Sequence, residues 1–300
     1  MGDMTATPHT TGPRRHPAAP SRFAGMPGRT LAVLVALATA LLVALFLAPG
    51  PLAASGSGGD SLDEGNLAES FREAFVEYWN AGNRDFSPDM RRVVDYWLRY
   101  HVVKAVVAAT LLIVLVALGV LVWRAFLRAG DLGAGHGAAL ASAGVLVTLL
   151  ALFASVTMAA NIQGAVAPFA SLLSMLPTGA TEGELAVTLD RVRQQLTSPS
   201  GAAGRTPPPL DVMIDDFARY HVAMAVLGAI VAVVLIGSSV VSGKRFARTE
   251  SSDRRRRRVF GAFGVLSALV SLVVIVVVVA NTGNATDPRS GLSAFFEGGW

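Results

Sequence analysis

The chain has no cysteine in 300 residues. Disulfide staples, a thiol nucleophile and thiolate metal ligation are therefore excluded. Charge is also scarce. Asp, Glu, Lys and Arg make up 15% of the sequence against 52% hydrophobic residues, and lysine occurs only as Lys104 and Lys244. Soluble domains carry about a quarter charged residues. The scarcity is concentrated: stretches 105–123, 138–160, 222–241 and 259–280 contain no Asp, Glu, His, Lys or Arg. Uncharged runs of about 20 residues are long enough to cross a bilayer. Proton- and ion-coupled carriers normally keep ionisable groups near the midplane. The sequence thus reads as an all-α, multi-pass transmembrane helical bundle, and it disfavours a coupled transporter.

What is present is a repeat. Asp95-Tyr-Trp-Leu-Arg-Tyr-His-Val102 leads into one apolar run, and Asp215-Asp-Phe-Ala-Arg-Tyr-His-Val222 leads into another 120 residues later. Gly144-Val-Leu matches Gly264-Val-Leu at the same offset, Ala160-Asn161 matches Ala280-Asn281, and Pro168 matches Pro288. Two copies of one membrane hairpin, residues 61–180 and 181–300, account for most of the chain.

Residues 1–29 are rich in proline, glycine, threonine and arginine, which predicts a disordered tail. Arg14-Arg15 lacks the residues that should follow a twin-arginine export pair. The apolar run at 30–48 is a retained span or a signal core, and the absence of a clean A-x-A site after it favours retention. Residues 49–60 read as a Gly/Ser linker. Leu67, Phe71, Ala74, Phe75, Tyr78 and Trp79 form one stripe, predicting an amphipathic helix over 66–80.

Ser87-Pro88-Asp89 supplies an N-cap, a proline at the first helical position and an early acid. A helix then runs uninterrupted to about Arg128. It is too long for the membrane alone, so residues 88–100 must stand outside the span at 101–123. Gly130 to Gly137 is a connector and 138–160 the return span. The apolar segment 161–176, broken by Pro168, reads as interfacial or re-entrant. In the second copy Thr181-Glu-Gly-Glu184 suggests a capping box, Thr206-Pro207 caps the next long helix, and spans fall at 222–241 and 259–280.

Basic residues mark orientation. The N-terminal tail, residues 124–137 and residues 242–258 hold fourteen Lys/Arg and four acids, whereas segments 49–100, 161–220 and 281–300 hold ten and seventeen. By the positive-inside rule the N-terminus is cytoplasmic and the C-terminus extracytoplasmic, with five spans in the cell membrane. Both helical extensions then lie outside, and the repeats are parallel.

The candidate site follows from the same helices. Met90, Val93, Val94, Trp97, Leu98 and His101 make one helical stripe, matched by Leu210, Met213, Ile214, Phe217, Ala218 and His221. Antiparallel return spans put Asn161 and Asn281 at the depth of His101 and His221. The structural reading is that each His–Asn pair caps helix ends and satisfies buried polar groups; the functional one is a pH-sensitive cluster near one axis. Lys104, one turn deeper, is within snorkelling reach of the surface. Asp95–Arg99 and Asp215–Arg219 are spaced to pair, and Tyr96, Trp97, Tyr100 and Tyr220 suit the aromatic belt.

Arg254, Arg255, Arg256, Arg257 and Arg258 form a run whose first role is to fix topology and whose second is contact with anionic headgroups. No basic fold surrounds the run, so nucleic acid is not a partner. The residues call for no cofactor, metal or catalytic constellation. The expected partner is the bilayer, alongside a membrane protein or a second copy of the chain. The function class expected is a structural or interaction protein; its rival is a transporter or channel component with a path between the repeats.

Overall fold

The computed structural model describes residues 28–55, 62–128, 134–198 and 206–299. Among these, all regular structure is helical: α1 (Gly28–Leu47), α2 (Pro49–Ala54), α3 (Leu67–Ala81), α4 (Pro88–Arg128), α5 (Ala134–Val166), α6 (Pro168–Leu172) with a 3-10 turn at Leu173–Met175, α7 (Gly183–Thr197), α8 (Pro208–Arg248), α9 (Arg254–Thr286) and α10 (Pro288–Phe296). Helices α1, α4, α5, α8 and α9 are long and apolar enough to cross a membrane. The protein is an all-α, multi-pass membrane bundle.

Both boundaries of α8, both of α9 and the start of α10 fall 120 residues after those of α4, α5 and α6. The α3 and α7 starts are 116 apart, so the offset loosens ahead of the prolines. Each 41-residue helix is about 60 Å long at 1.5 Å per residue, twice the hydrocarbon thickness.

Local chemistry sets most boundaries. Gly82, at φ 67°, turns the chain out of α3, a conformation open to glycine without a Cβ penalty. The Ser87 hydroxyl accepts the Met90 N–H at 3.3 Å and opens α4. Pro168 and Pro288 begin α6 and α10 because proline fits the first helical turn and stops the helix before it.

Four boundaries differ from expectation. Residues 49–54 form α2 rather than linker, because Pro49 and Pro51 start a helix that buries Ala53. The capping box does not form: α7 starts at Gly183, whose φ of 83° makes Glu182 the N-cap and takes Thr181 out of register. Thr206-Pro207 gives no side-chain cap to α8, which starts one residue later, at Pro208. The basic stretch 242–258 is not one loop, since α8 runs to Arg248 and α9 begins at Arg254. The tail with Arg14-Arg15 and the first half of the Gly130–Gly137 connector lie outside the described residues.

Two cores divide the molecule. At one end, the cap end, α2, α3, α6, α7, α10 and the starts of α4 and α8 enclose Phe71, Phe75, Tyr78, Tyr96, Phe169 and Phe296, each at most 1% exposed. Among the spans, α1 lies on the first hairpin (α4–α5), burying Leu45 against Ala108, Leu111 and Leu115. Close helix approach needs small residues. A methyl group added at Gly228 would lie 2.7 Å from Val278 in the second hairpin (α8–α9), and one at Gly144 2.8 Å from the Trp123 ring.

The two sequence stripes meet in the cap core through intermediaries. Helix α4 packs mainly on α5, α1, α2, α3 and α6, and α8 mainly on α9, α5, α6 and α10. Segment 161–176 continues α5 to Val166 and then folds into the cap, with Phe169, Leu172 and Leu173 buried. Tyr96 is in the cap core, not a belt, at 0% exposure.

Candidate functional site

Each histidine pairs with the asparagine of its own hairpin. His101 Nδ1 is 2.9 Å from Asn161 Oδ1, and His221 Nδ1 is 2.8 Å from Asn281 Oδ1. Asn161 donates its amide to Thr157 O at 2.7 Å, and Asn281 to Val277 O at 2.8 Å. That back-bond, to the carbonyl four residues earlier, turns each Oδ1 toward the ring. The imidazole Nδ1 must then be the donor, and Nε2 of the neutral ring carries the lone pair. Neither pair caps a helix end: α4 and α8 run straight through, and α5 and α9 continue five residues beyond Asn161 and Asn281.

The pairs do not merge into one cluster. They share no hydrogen bond; near them Gln163 crosses from one hairpin to the other, donating to Tyr220 O at 3.1 Å. His101 Nε2 is buried without a partner, closed in by Trp97 at 4.5 Å between ring centroids and by Gly164. A methyl group at Gly164 would come within 2.6 Å of the imidazole carbons. His221 instead lines a cavity of about 170 Å³ with Ser171, Ser174, Asn284 and Gly291. Lys104 turns toward Tyr100, its Nζ 3.0 Å from the hydroxyl, and Tyr100 hydrogen-bonds Glu64.

The expected Asp215–Arg219 pair rearranges. Arg84, in the α3–α4 loop, reaches both Asp211 and Asp215, the latter at 3.1 Å. These acids are one turn apart on α8, so one guanidinium spans them. Arg219 pairs with Asp216 Oδ1 at 2.9 Å. Asp216, 4% exposed, was not singled out by spacing or motif. Its Oδ2 accepts the Ala170 N–H at 2.8 Å, and the carboxylate also accepts the Phe169 N–H, closing the start of α6 from the other hairpin's helix. Burial pushes the Asp216 carboxyl above its ordinary range, outweighing the two amides and Arg219. Its only sequence signal was the doubled acid Asp215-Asp216, where the other copy reads Asp95-Tyr96.

At the opposite end, where both hairpins turn, the arginines divide by face. Asp253 caps α9 by accepting the Arg256 N–H at 3.1 Å and pairs with the Arg256 side chain at 3.3 Å. Arg255 donates to Phe126 O at 3.2 Å and lies 4.9 Å from that ring; Arg257 lies 4.5 Å from the Phe246 ring. Arg256 joins Arg124, Arg128, Arg245 and Arg248 around a cavity of about 320 Å³. Arg254, Arg255 and Arg258 rim another of about 560 Å³ floored by Trp123, Phe126 and Phe263. Among the described residues no group of three His, Asp or Glu converges as a metal site.

No protein-family model, curated protein or solved structure matches the chain. Its functional reading rests on the geometry above.

Proposed function

We propose that this is an internally duplicated structural or interaction protein of the cell membrane, N-terminus cytoplasmic and C-terminus extracytoplasmic, acting through a rigid outer cap rather than by catalysis. The observation that carries this reading is the cap core. Helices from both halves of the chain bury one continuous aromatic cluster there, and Asp216 and Gln163 tie one half to the other. The spans below carry no ionisable group deeper than Lys104, which supports a membrane anchor over a coupled carrier. A cap of this kind presents a fixed surface to a membrane-protein partner or to a second copy.

Crosslinking from intact membranes, with photoreactive residues on the exposed cap face, tests the proposal: discrete crosslinked species are expected. Rapid solute flux through the purified protein in liposomes, with no crosslinked species, would move the reading to a channel component. A reporter fused after Trp300 should be active only outside the cytoplasm, and cytoplasmic activity would invert the orientation.

A further inference from the structure

We propose that the groove between the two hairpins at their turn end is a specific site for one anionic phospholipid. The headgroup phosphate sits at Arg254 and Arg258, and the acyl chains run over Trp123, Phe126 and Phe263. The proposal rests on the membrane reading above but not on its orientation.

Four observations converge. First, the groove joins the parts a phospholipid needs: a cavity of about 560 Å³ with a rim of three guanidinium groups and an aromatic and aliphatic floor. Second, the rim residues differ in what they already do. Arg255 is held by Phe126 O and by the Phe126 ring, so it fixes the first turn of α9 against the first hairpin. The side chains of Arg254 and Arg258, one turn apart and exposed, have no hydrogen-bond or ion-pair partner among the described residues. Third, α9 starts with five consecutive arginines and no acid in its first turn. Cations at a helix N-terminus face the positive end of the dipole, so a bound anion relieves both the charge crowding and the dipole. Fourth, the floor crosses from one hairpin to the other, Trp123 meeting Phe263 at 5.1 Å between centroids. A soluble phosphate would gain nothing from that floor; a lipid buries its chains on it.

The test uses the full-length protein in phosphatidylcholine vesicles with a minor fraction of brominated lipid, either phosphatidylcholine or phosphatidylglycerol. Bromine quenches nearby tryptophan, and subtracting the Trp123→Phe signal isolates Trp123. Brominated phosphatidylglycerol should quench Trp123 more strongly than brominated phosphatidylcholine. The preference should fall by about fivefold for each charge removed in Arg254→Gln/Arg258→Gln, and should survive in Lys244→Gln/Arg248→Gln, which removes equal charge elsewhere on the same surface. Ala262→Phe, which fills the floor and leaves every arginine, should also abolish it. Equal quenching by the two lipids, or equal loss in both charge variants, overturns the site in favour of diffuse attraction. Loss of quenching on adding glycerol phosphate shows a soluble phosphate ligand and overturns the lipid assignment. Absence of quenching by either lipid removes the membrane reading itself, and the site with it.

Discussion

Positions 120 residues apart carry the same His–Asn pair in opposite surroundings. His101 is sealed under Trp97 and against Gly164, its Nε2 buried without a partner. His221 has the same bond to Asn281 but borders a cavity, and its counterpart of Gly164 is Asn284, which lines that cavity. The contrast extends along each hairpin. Helix α1 packs on the first one, where Val114 is 7% exposed; the equivalent Val234 on α8 is 64% exposed. At the next pair of equivalent positions, Phe169 packs its ring on Phe71 and Tyr78 of α3, whereas Arg289 donates to Leu196 O at 3.0 Å and Ser198 O at 3.1 Å, closing the end of α7. The same slot contacts the same kind of outer helix by ring packing in one half and by carbonyl capping in the other. What is common to the halves is backbone course and the His–Asn bond; the side-chain chemistry around them differs.

The largest test of that contrast is at this slot. Phe169→Ala should cost about 3–5 kcal/mol of cap stability, as deletion of a fully buried aromatic does. Arg289→Ala, which removes part-exposed charged hydrogen bonds, should cost about 1–2 kcal/mol. Thermal unfolding of both variants in nanodiscs, followed by near-ultraviolet circular dichroism, gives the ratio. Equal losses would mean that α3 and α7 are held alike after all.

Next in size is the seal on His101. Gly164→Ala forces a methyl group into the imidazole and should destabilise by about 1–3 kcal/mol, in the range for overpacking. Gly283→Ala, where no atom lies within 4 Å of the added methyl, should be neutral or slightly stabilising, since alanine favours helix over glycine. Nitrogen-15 spectra of the histidines should show the His101 Nδ1–H signal displaced in the first variant and both signals unchanged in the second.

Sequence periodicity made the long helices, their prolines and the His–Asn register legible, because helical spacing and antiparallel pairing follow from backbone geometry alone. It did not reveal Asp216, whose partners Phe169 and Ala170 are about 46 residues away, nor the diversion of Asp215 to Arg84. Those depend on how two hairpins dock, which no local period encodes. Tyr96 shows the same limit. An aromatic near a membrane boundary reads as a belt residue until a neighbouring helix such as α2 covers it. The arginine run was legible as charge, but its division between two faces of α9 required the position of Phe126 and Phe246.

Asp216 tests the tie between the halves through pH. Its folded carboxyl titrates above its ordinary range, so between the unfolded value and that raised value the folded chain holds a proton the unfolded chain has lost. The unfolded state then binds fewer protons, and stability falls as pH rises through that window. Below the window the contribution is fully present, and above it there is no further slope. Asp216→Asn should flatten this dependence, because its neutral amide oxygen can still accept the backbone N–H groups but has no proton to lose. The variant should therefore compare best with wild type above the window, where the buried carboxylate is ionised. Melting curves across the acid range, wild type against variant, measure both effects. Parallel curves would show that the tie is indifferent to charge.

The smallest expected effect concerns two coupled differences between the hairpins. In the first, the Trp97 indole N–H donates to Ser171 Oγ at 2.8 Å, and that hydroxyl donates to Pro168 O at 2.9 Å. The equivalent positions are Phe217 and Gly291, where a methyl group on the glycine would stand 3.0 Å from the phenyl ring. A ring with a donor thus goes with a hydroxyl, and a ring without one goes with a glycine it can press on. Ser171→Gly alone strands the indole N–H, and Trp97→Phe alone leaves the hydroxyl its bond to Pro168. The double variant, which copies the second hairpin into the first, should therefore be more stable than the sum of the single losses by about 1 kcal/mol, the worth of one hydrogen bond. Gly291→Ser by itself should destabilise the second hairpin, since its Cβ would stand 3.0 Å from the Phe217 ring and 3.1 Å from Asn284 Oδ1, and both must move. A cycle of these variants by thermal unfolding reads the coupling directly. Strict additivity would mean that each residue answers to its own surroundings and that the pairing across the two hairpins is coincidental.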